Sequence, residues 1–210
     1  GTDVRQGLKS LPRTARGFTL VELAVTFAVL AILTLLAVPS FTDWIRNTQV
    51  RSAADAMQNG LRLAQAEAVR RSRLVVFSLT AGQPGLNVAA VANGSNWSIQ
   101  AAPVAGIDDA SLQFVQGGAF GDTTAGVTIT GPASICFNAE GRLVAGSTGL
   151  AGVNCAAPAE GGSIDYDVSR AAAQLRQGSD RPLRVRVALG GQVRMCDPAR
   201  ALSAANPDGC

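Results

Sequence analysis

Residues 16–41 read RGFTLVELAVTFAVLAILTLLAVPSF, and inside them residues 18–38 form a run of 21 mostly apolar positions with one acid, Glu22. As a helix this run is about 31 Å long, close to the thickness of a bilayer core. Thirteen of its residues are Leu, Ile, Val or Phe. At roughly −0.3 to −0.6 kcal/mol each, they favour insertion by about −4 to −8 kcal/mol, against about +3 for a carboxylate near the centre and less near an end. Insertion therefore wins in spite of Glu22. The preceding residues carry Arg5, Lys9, Arg13 and Arg16 against Asp3. This basic flank holds residues 1–17 in the cytoplasm and sends the rest of the chain across the membrane. A cleaved secretory signal would have a shorter run ending at a small-residue site, whereas Pro39, Ser40, Phe41, Thr42, Asp43 and Trp44 follow here. A plain signal anchor explains the length and the flank but not Glu22, because an intramembrane acid is expensive and needs a partner.

Beyond the run, aromatic residues are few (5%), while 23 glycines and nine prolines punctuate the 210 residues. That composition reads as a loop-rich β domain. After residue 17, 14 arginines face 14 acids, so the net charge of +3 belongs to the first 17 residues. There is no histidine, which excludes His-based catalytic triads and most zinc sites. Cys136, Cys155, Cys196 and Cys210 all follow the apolar run, and none forms a CxxC pair. An even set of cysteines on the far side of a membrane segment suggests disulfides in an oxidising compartment. Of three connectivities, the two local ones, Cys136 with Cys155 and Cys196 with Cys210, are expected; four buried thiols are the alternative.

Pro39 lacks an N–H and should kink or locally melt the helix without necessarily ending it. Past it, Ala54, Met57, Leu61, Ala64 and Ala68 recur at steps of three and four, a single helical stripe. One helix is expected from Phe18 to about Arg73, some 84 Å if straight, closed by Arg70, Arg71 and Arg73, whose charges suit a helix C-terminus. Strands are expected at 74–80, 97–101, 112–116, 127–130, 134–138, 164–169, 183–188 and 192–196, the last two joined by a tight hairpin at Leu189, Gly190 and Gly191. Residues 144–152 read as a loop. The fold class is α+β, a long N-terminal helix packed on a C-terminal antiparallel sheet domain. The expected divisions are 1–17, a leader; 18–38, a transmembrane or filament-core helix; 39–73, its amphipathic half; and 74–210, a β-rich domain.

Arg16, Gly17, Phe18, Thr19, Leu20, Val21, Glu22 and Leu23 resemble the processing signal of type IV pilins and the related pseudopilins. The resemblance implies a pilin fold and cleavage by a prepilin peptidase between Gly17 and Phe18, followed by N-methylation of Phe18. The family's acid at the fifth residue after the cut corresponds to Glu22, and its proline at the twenty-second to Pro39. It further implies that Glu22 of an incoming subunit meets the amino group freed on a neighbour. Such a buried charge needs a counter-charge. "LRLAQAEAVRRSRLVVFSL" (61–79), "ICFNAEGRL" (135–143) and the tail from Gly190 to Cys210 resemble the GspH/FimT/FimU group within that superfamily. The function implied is that of a minor type IV pilin in pilus assembly or initiation, with a type II secretion pseudopilin and a DNA-binding pilin as alternatives. The partners implied are other pilins or pseudopilins, the prepilin peptidase, the inner-membrane assembly platform and the membrane itself. The implied location is a single pass through a bacterial inner membrane with the C-terminal domain periplasmic, and later a pilus or pseudopilus.

Two other chemistries were weighed on residues alone. Arg184 and Arg186 alternate along one strand and Arg194 sits on the paired strand, so a phosphate-contacting stripe is conceivable. FimT-type DNA binders use a late G-R-x-R segment, and Gln192 stands where its first Arg would be; a solvated strand face is the blander expectation. Asp165 and Asp167 form a D-x-D on a strand without companion ligands, so they are expected to be exposed acids. Asp108 and Asp109 read as a turn. Gly149 and Gly152 make no phosphate loop without a strand before and a helix after them. No enzyme activity, metal or cofactor is expected.

Overall fold

A computed structural model describes residues 17–104, 113–120, 126–147 and 153–210. The leader before Gly17, Leu112, Asp108, Asp109, Gly149 and Gly152 lie outside the described residues. The chain divides between Thr42 and Asp43 into two compact units.

Helix α1 runs Leu20–Arg71, 52 residues, and passes through Pro39 without a break. It starts later than expected because Thr19 caps it: the Thr19 Oγ1 accepts from the Glu22 N–H at 3.2 Å. Its end is also sharper than expected. Ser72 adopts a left-handed φ of 50°. There Ser72 N donates to Val69 O and Arg73 N to Ala68 O, both at 3.2 Å. These are the two bonds of a Schellman cap, here closed without glycine. Arg70 and Arg71 both turn back to Glu67, at 2.6 and 2.7 Å.

Strands β1 (Val75–Thr80), β2 (Asn96–Ala101), β3 (Gln113–Ala119), β5 (Ser134–Phe137) and β6 (Leu143–Val144) build one antiparallel sheet in the order β3-β2-β1-β5-β6. Strands β4 (Val127–Thr130), β9 (Ser163–Arg170), β10 (Leu183–Ala188) and β11 (Val193–Cys196) build a second, β11-β10-β9-β4. A small ribbon pairs β7 (Gly146–Ser147) with β8 (Asn154–Cys155). The eight expected strands are present within a few residues at their ends. The loop expected at 144–152 is corrected over its described part: Val144 pairs with Cys136, and Gly146 with Cys155. The turn at Asn138 and Gly141 brings Val144 back beside Cys136, and the Cys136–Cys155 disulfide holds β8 close to β5.

Both sheets share one core with the second half of α1. Ala54, Met57, Leu61, Ala64 and Ala68 are fully buried, and so are Phe77, Ile99, Tyr166, Val168, Val185 and Val187. The Phe77 ring stacks on Trp97 at 5.9 Å and meets Tyr166 edge-on at 6.3 Å, joining the two sheets. Gly60 lies over that stack: a Cβ there would come 3.2 Å from Phe77 and 3.4 Å from Trp97. Gly191, at φ +86°, closes the β10–β11 hairpin, where Gly191 N donates to Ala188 O at 2.8 Å. Its Cβ would run into the Gly141 carbonyl, so this hairpin and the β5–β6 turn touch backbone to backbone.

The Tyr166 hydroxyl is buried and has no hydrogen-bond partner among the described residues, and burial pushes its pKa up. An unpartnered buried hydroxyl opposes folding, whereas the ring contributes packing. Tyr166→Phe is expected to leave the unfolding midpoint of the full chain unchanged or raise it. Tyr166→Ala should lower stability by about 3–5 kcal/mol. Denaturant titration in detergent reads both, and a clear loss in Tyr166→Phe would show that the hydroxyl is satisfied.

Candidate functional site

Among the described residues of the first unit, the chemical feature is the start of α1. Gly17, Phe18 and Thr19 precede the helix, and Leu23 N donates to Thr19 O at 3.1 Å. Thr19 and Glu22 stand three apart, the spacing of a capping box. The signal for this cap is T-x-x-E ahead of an apolar run, present at Thr19 but masked in the sequence by the prominence of Glu22. The cap fixes where the helix begins, and so sets Glu22 in its first turn. The best 18-residue window of this helix has a mean hydropathy of 2.5, and none of it is buried within the protein. Phe18 is 82% exposed and Leu20 84%. A surface this apolar needs lipid or other helices around it. Its polar groups are settled internally: Thr26 and Thr34 donate to the carbonyls of Leu23 and Leu30 at 2.8 and 2.7 Å. Pro39 has no N–H to donate, so one helical bond is missing there. Glu22 is exposed and forms no ion pair among the described residues.

In the second unit the two local disulfides are formed, Cys136–Cys155 and Cys196–Cys210, with Cα separations of 5.4 and 5.2 Å. The arginine stripe is present but already engaged. Arg184 grips Asp167 with two bonds, at 2.6 and 3.1 Å. Arg186 grips Asp165 with two more, both at 2.9 Å. Arg186 also donates to the Cys210 carbonyl at 3.0 Å, and Arg194 to the Gly209 carbonyl at 2.6 Å. The expectation that Asp165 and Asp167 are plain exposed acids is corrected. β9 pairs with β10 so that Asp165 lies opposite Arg186 and Asp167 opposite Arg184. The sequence showed each strand but not which strand would lie beside which. Arg184 and Arg186 are thus neutralised by carboxylates and Arg194 is held by the Gly209 carbonyl, so the geometry adds nothing in favour of the DNA reading of these three residues.

A further ion-pair system fastens the β9–β10 connection to α1. Arg46 reaches Asp180 through two bonds, at 3.0 and 2.7 Å, and the Asp180 side chain is only 4% exposed. Asn47 donates to Ser179 O and accepts from Arg181 N, at 2.8 and 2.9 Å. Arg176 reaches Asp43 at 3.2 Å. The Arg46 guanidinium holds the Asp180 carboxyl below the usual carboxylate range, as Arg186 does for Asp165. Arg70 and Arg71 together hold Glu67 at about 2.

Residues 12–38 match the family model for the prokaryotic N-terminal methylation motif, and residues 53–191 match that of the type II transport protein GspH. The chain belongs to the GspH family. It is similar to two fimbrial proteins of Pseudomonas aeruginosa, each 32% identical over 68 residues, which are 32% of this chain. The match spans 44% of those relatives, less than half of their length. Two crystal structures of the P. aeruginosa type IV minor pilin FimU are also similar, both at 15% identity. One gives a TM-score of 0.42 over 72% of this chain and 95% of FimU, the other 0.45 over 75% and 96%. This GspH-family chain joins a methylation motif to an exposed apolar helix and two antiparallel sheets. The descriptions of its relatives are those of pilin, fimbrial and transport proteins rather than of enzymes.

Asp165, Asp180 and Glu67 are all held below their ordinary values. Their contribution is therefore complete above the unfolded-state range of about 4 and is lost as the pH drops through the folded values. The unfolding temperature is expected to hold above about pH 5 and to fall from there toward about pH 2. In Asp180→Asn it should start lower and fall less, because one of the titrating groups is gone. Thermal melts across pH check this; a flat profile in the parent protein would contradict it.

Proposed function

We propose that this GspH-family chain is a minor pilin precursor, cut between Gly17 and Phe18 by a prepilin peptidase and methylated on the new amino group of Phe18. Before assembly residues 18–38 hold it in the bacterial inner membrane, with the cysteine-bridged domain on the periplasmic side. It then leaves the bilayer for a filament, taking part in pilus assembly or initiation with other pilins and the inner-membrane assembly platform. The observation that carries this reading is the methylation motif, continuous with a fully exposed apolar helix and joined to a GspH-type domain. Glu22 acts in docking. Its carboxylate meets the amino group of a neighbouring Phe18, and each charge removes the other's cost in an apolar setting. Thr19 holds the first turn in shape for that contact. Pro39 supplies a place where α1 yields as the subunit leaves the membrane.

A second reading, a minor pseudopilin of type II secretion, is favoured by the description of the matching family model itself. Affinity purification of the chain separates the two: pilus minor pilins accompany it in one case, secretion pseudopilins in the other.

Mass spectrometry of the wild-type chain from cells that carry the peptidase should find an N-terminal Phe18 with one added methyl group, and Gly17→Glu should leave the leader attached. Glu22→Ala should be cut normally yet be strongly depleted from sheared filaments. An uncut wild-type chain would refute the processing, and normal incorporation of Glu22→Ala would refute the docking role.

A further inference from the structure

We propose that the turn carrying Glu140 and Arg142 on one copy of this chain docks into a groove on the helix flank of a second copy, head to tail. This goes beyond the reading as a processed filament subunit and does not depend on it, because it concerns only the second unit.

The groove, about 530 Å³, lies between α1, the start of β10 and the loop closed by Cys196–Cys210. Leu183 and Met195 contribute apolar surface to it, and Trp44, 63% exposed, lies along it. On one wall Arg200 is paired with Asp197 and Asp208. The remaining charges, Arg51, Asp55 and Arg181, are exposed and form no ion pair among the described residues. The groove thus presents two uncompensated cations and one uncompensated acid.

The turn presents the matching pair. Glu140 and Arg142 are exposed and likewise form no ion pair among the described residues. Their backbone is held firmly. The Asn138 Oδ1 accepts from Glu140 N at 3.2 Å and from Arg142 N at 2.9 Å. Gly141, at φ +74°, turns the chain, and Gln65 donates to its carbonyl at 3.0 Å. A turn already held in shape loses little freedom on docking. Glu140 suits Arg51 and Arg181, while Arg142 suits Asp55. Glu160, another unpaired acid on an exposed turn, has no cation beside it in sequence.

The placement dictates the kind of contact. Trp44, Thr48, Arg51, Asp55, Gln58, Arg62 and Gln65 follow one another at steps of three and four, so they share one flank of α1. The groove occupies one end of that flank and the turn is anchored at Gln65, about 21 Å further along from Arg51. No copy can fill its own groove. Two different surfaces meeting between identical chains make a heterologous contact, which repeats along an axis unless it closes into a ring. Exposed ion pairs are weak, so the contact matters most between copies that something else already holds together.

The test uses the full chain at high density in proteoliposomes, where the shared bilayer holds copies together, with a photocrosslinking amino acid in place of Thr48, whose side chain is exposed beside the groove. Peptide mapping is expected to find crosslinks from position 48 to the peptide containing Glu140 of a differently tagged copy. Glu140→Arg should lower their yield about fivefold. Adding Arg51→Glu and Arg181→Glu to that variant should restore the yield. Absence of the crosslink, a yield unchanged by Glu140→Arg, or a partner peptide from another region would each overturn the proposal. Because no peptidase or filament is involved, failure here leaves the processing reading intact.

Discussion

The stripe of Ala54, Met57, Leu61, Ala64 and Ala68 on α1 is the constraint on which the rest of this protein rests. Three of its five members are alanine, so the helix backbone can approach both sheets closely while Met57 and Leu61 fill the space between them. Gly60 extends the logic by removing even a Cβ over the stacked rings of Phe77 and Trp97. The aromatic residues of the core come from the sheet side, and the small residues that let them in come from the helix side. Among the described residues no strand of one sheet is laddered to a strand of the other; the sheets meet through the shared helix, the contact of Phe77 with Tyr166, and the bond from Leu143 N to Leu189 O between β6 and the β10–β11 hairpin.

The same helix obeys a different rule before Thr42. There its surface is apolar and built for lipid or other helices, where a polar group has to be answered locally or by another molecule. Thr19, Thr26 and Thr34 are answered within their own turns. Glu22 is the single ionisable residue between Phe18 and Thr42 and forms no ion pair among the described residues, and that asymmetry is the physical content of the proposed docking role. The arginines of the globular unit show the converse. Arg46, Arg184 and Arg186 are forked onto aspartates across strands or between helix and loop, and they serve as fasteners.

The architecture was largely legible in the sequence because its signals are local. The apolar run, the alanine-rich stripe and the β-branched runs each declare their period within a few residues, and strands 127–130 and 183–188 fall where those periods put them. What the sequence hid was strand order. β5 lies beside β1, and β9 beside both β4 and β10, pairings set by packing between distant segments. For that reason Asp165 and Asp167 looked like isolated acids, and Arg184 and Arg186 like a bare cationic stripe. Ser72 as a helix terminator was hidden for another reason: left-handed backbone is common for glycine, and serine gives no comparable signal. The capping threonine was readable and was overshadowed by the acid beside it.

Both disulfides close short loops, of 19 and 14 residues. Loop-closure entropy grows with the logarithm of length, by about 0.6 kcal/mol per doubling. The native partners are therefore the nearest ones each cysteine can find. During synthesis Cys136 and Cys155 both exist before Cys196 has been made, and Cys196 next meets Cys210. The order of the chain itself sorts the four thiols, so correct pairing asks little of an isomerase. The second bridge then places Cys196, with Asp197, Arg200 and Asp208 of the loop it closes, along the groove beside Trp44.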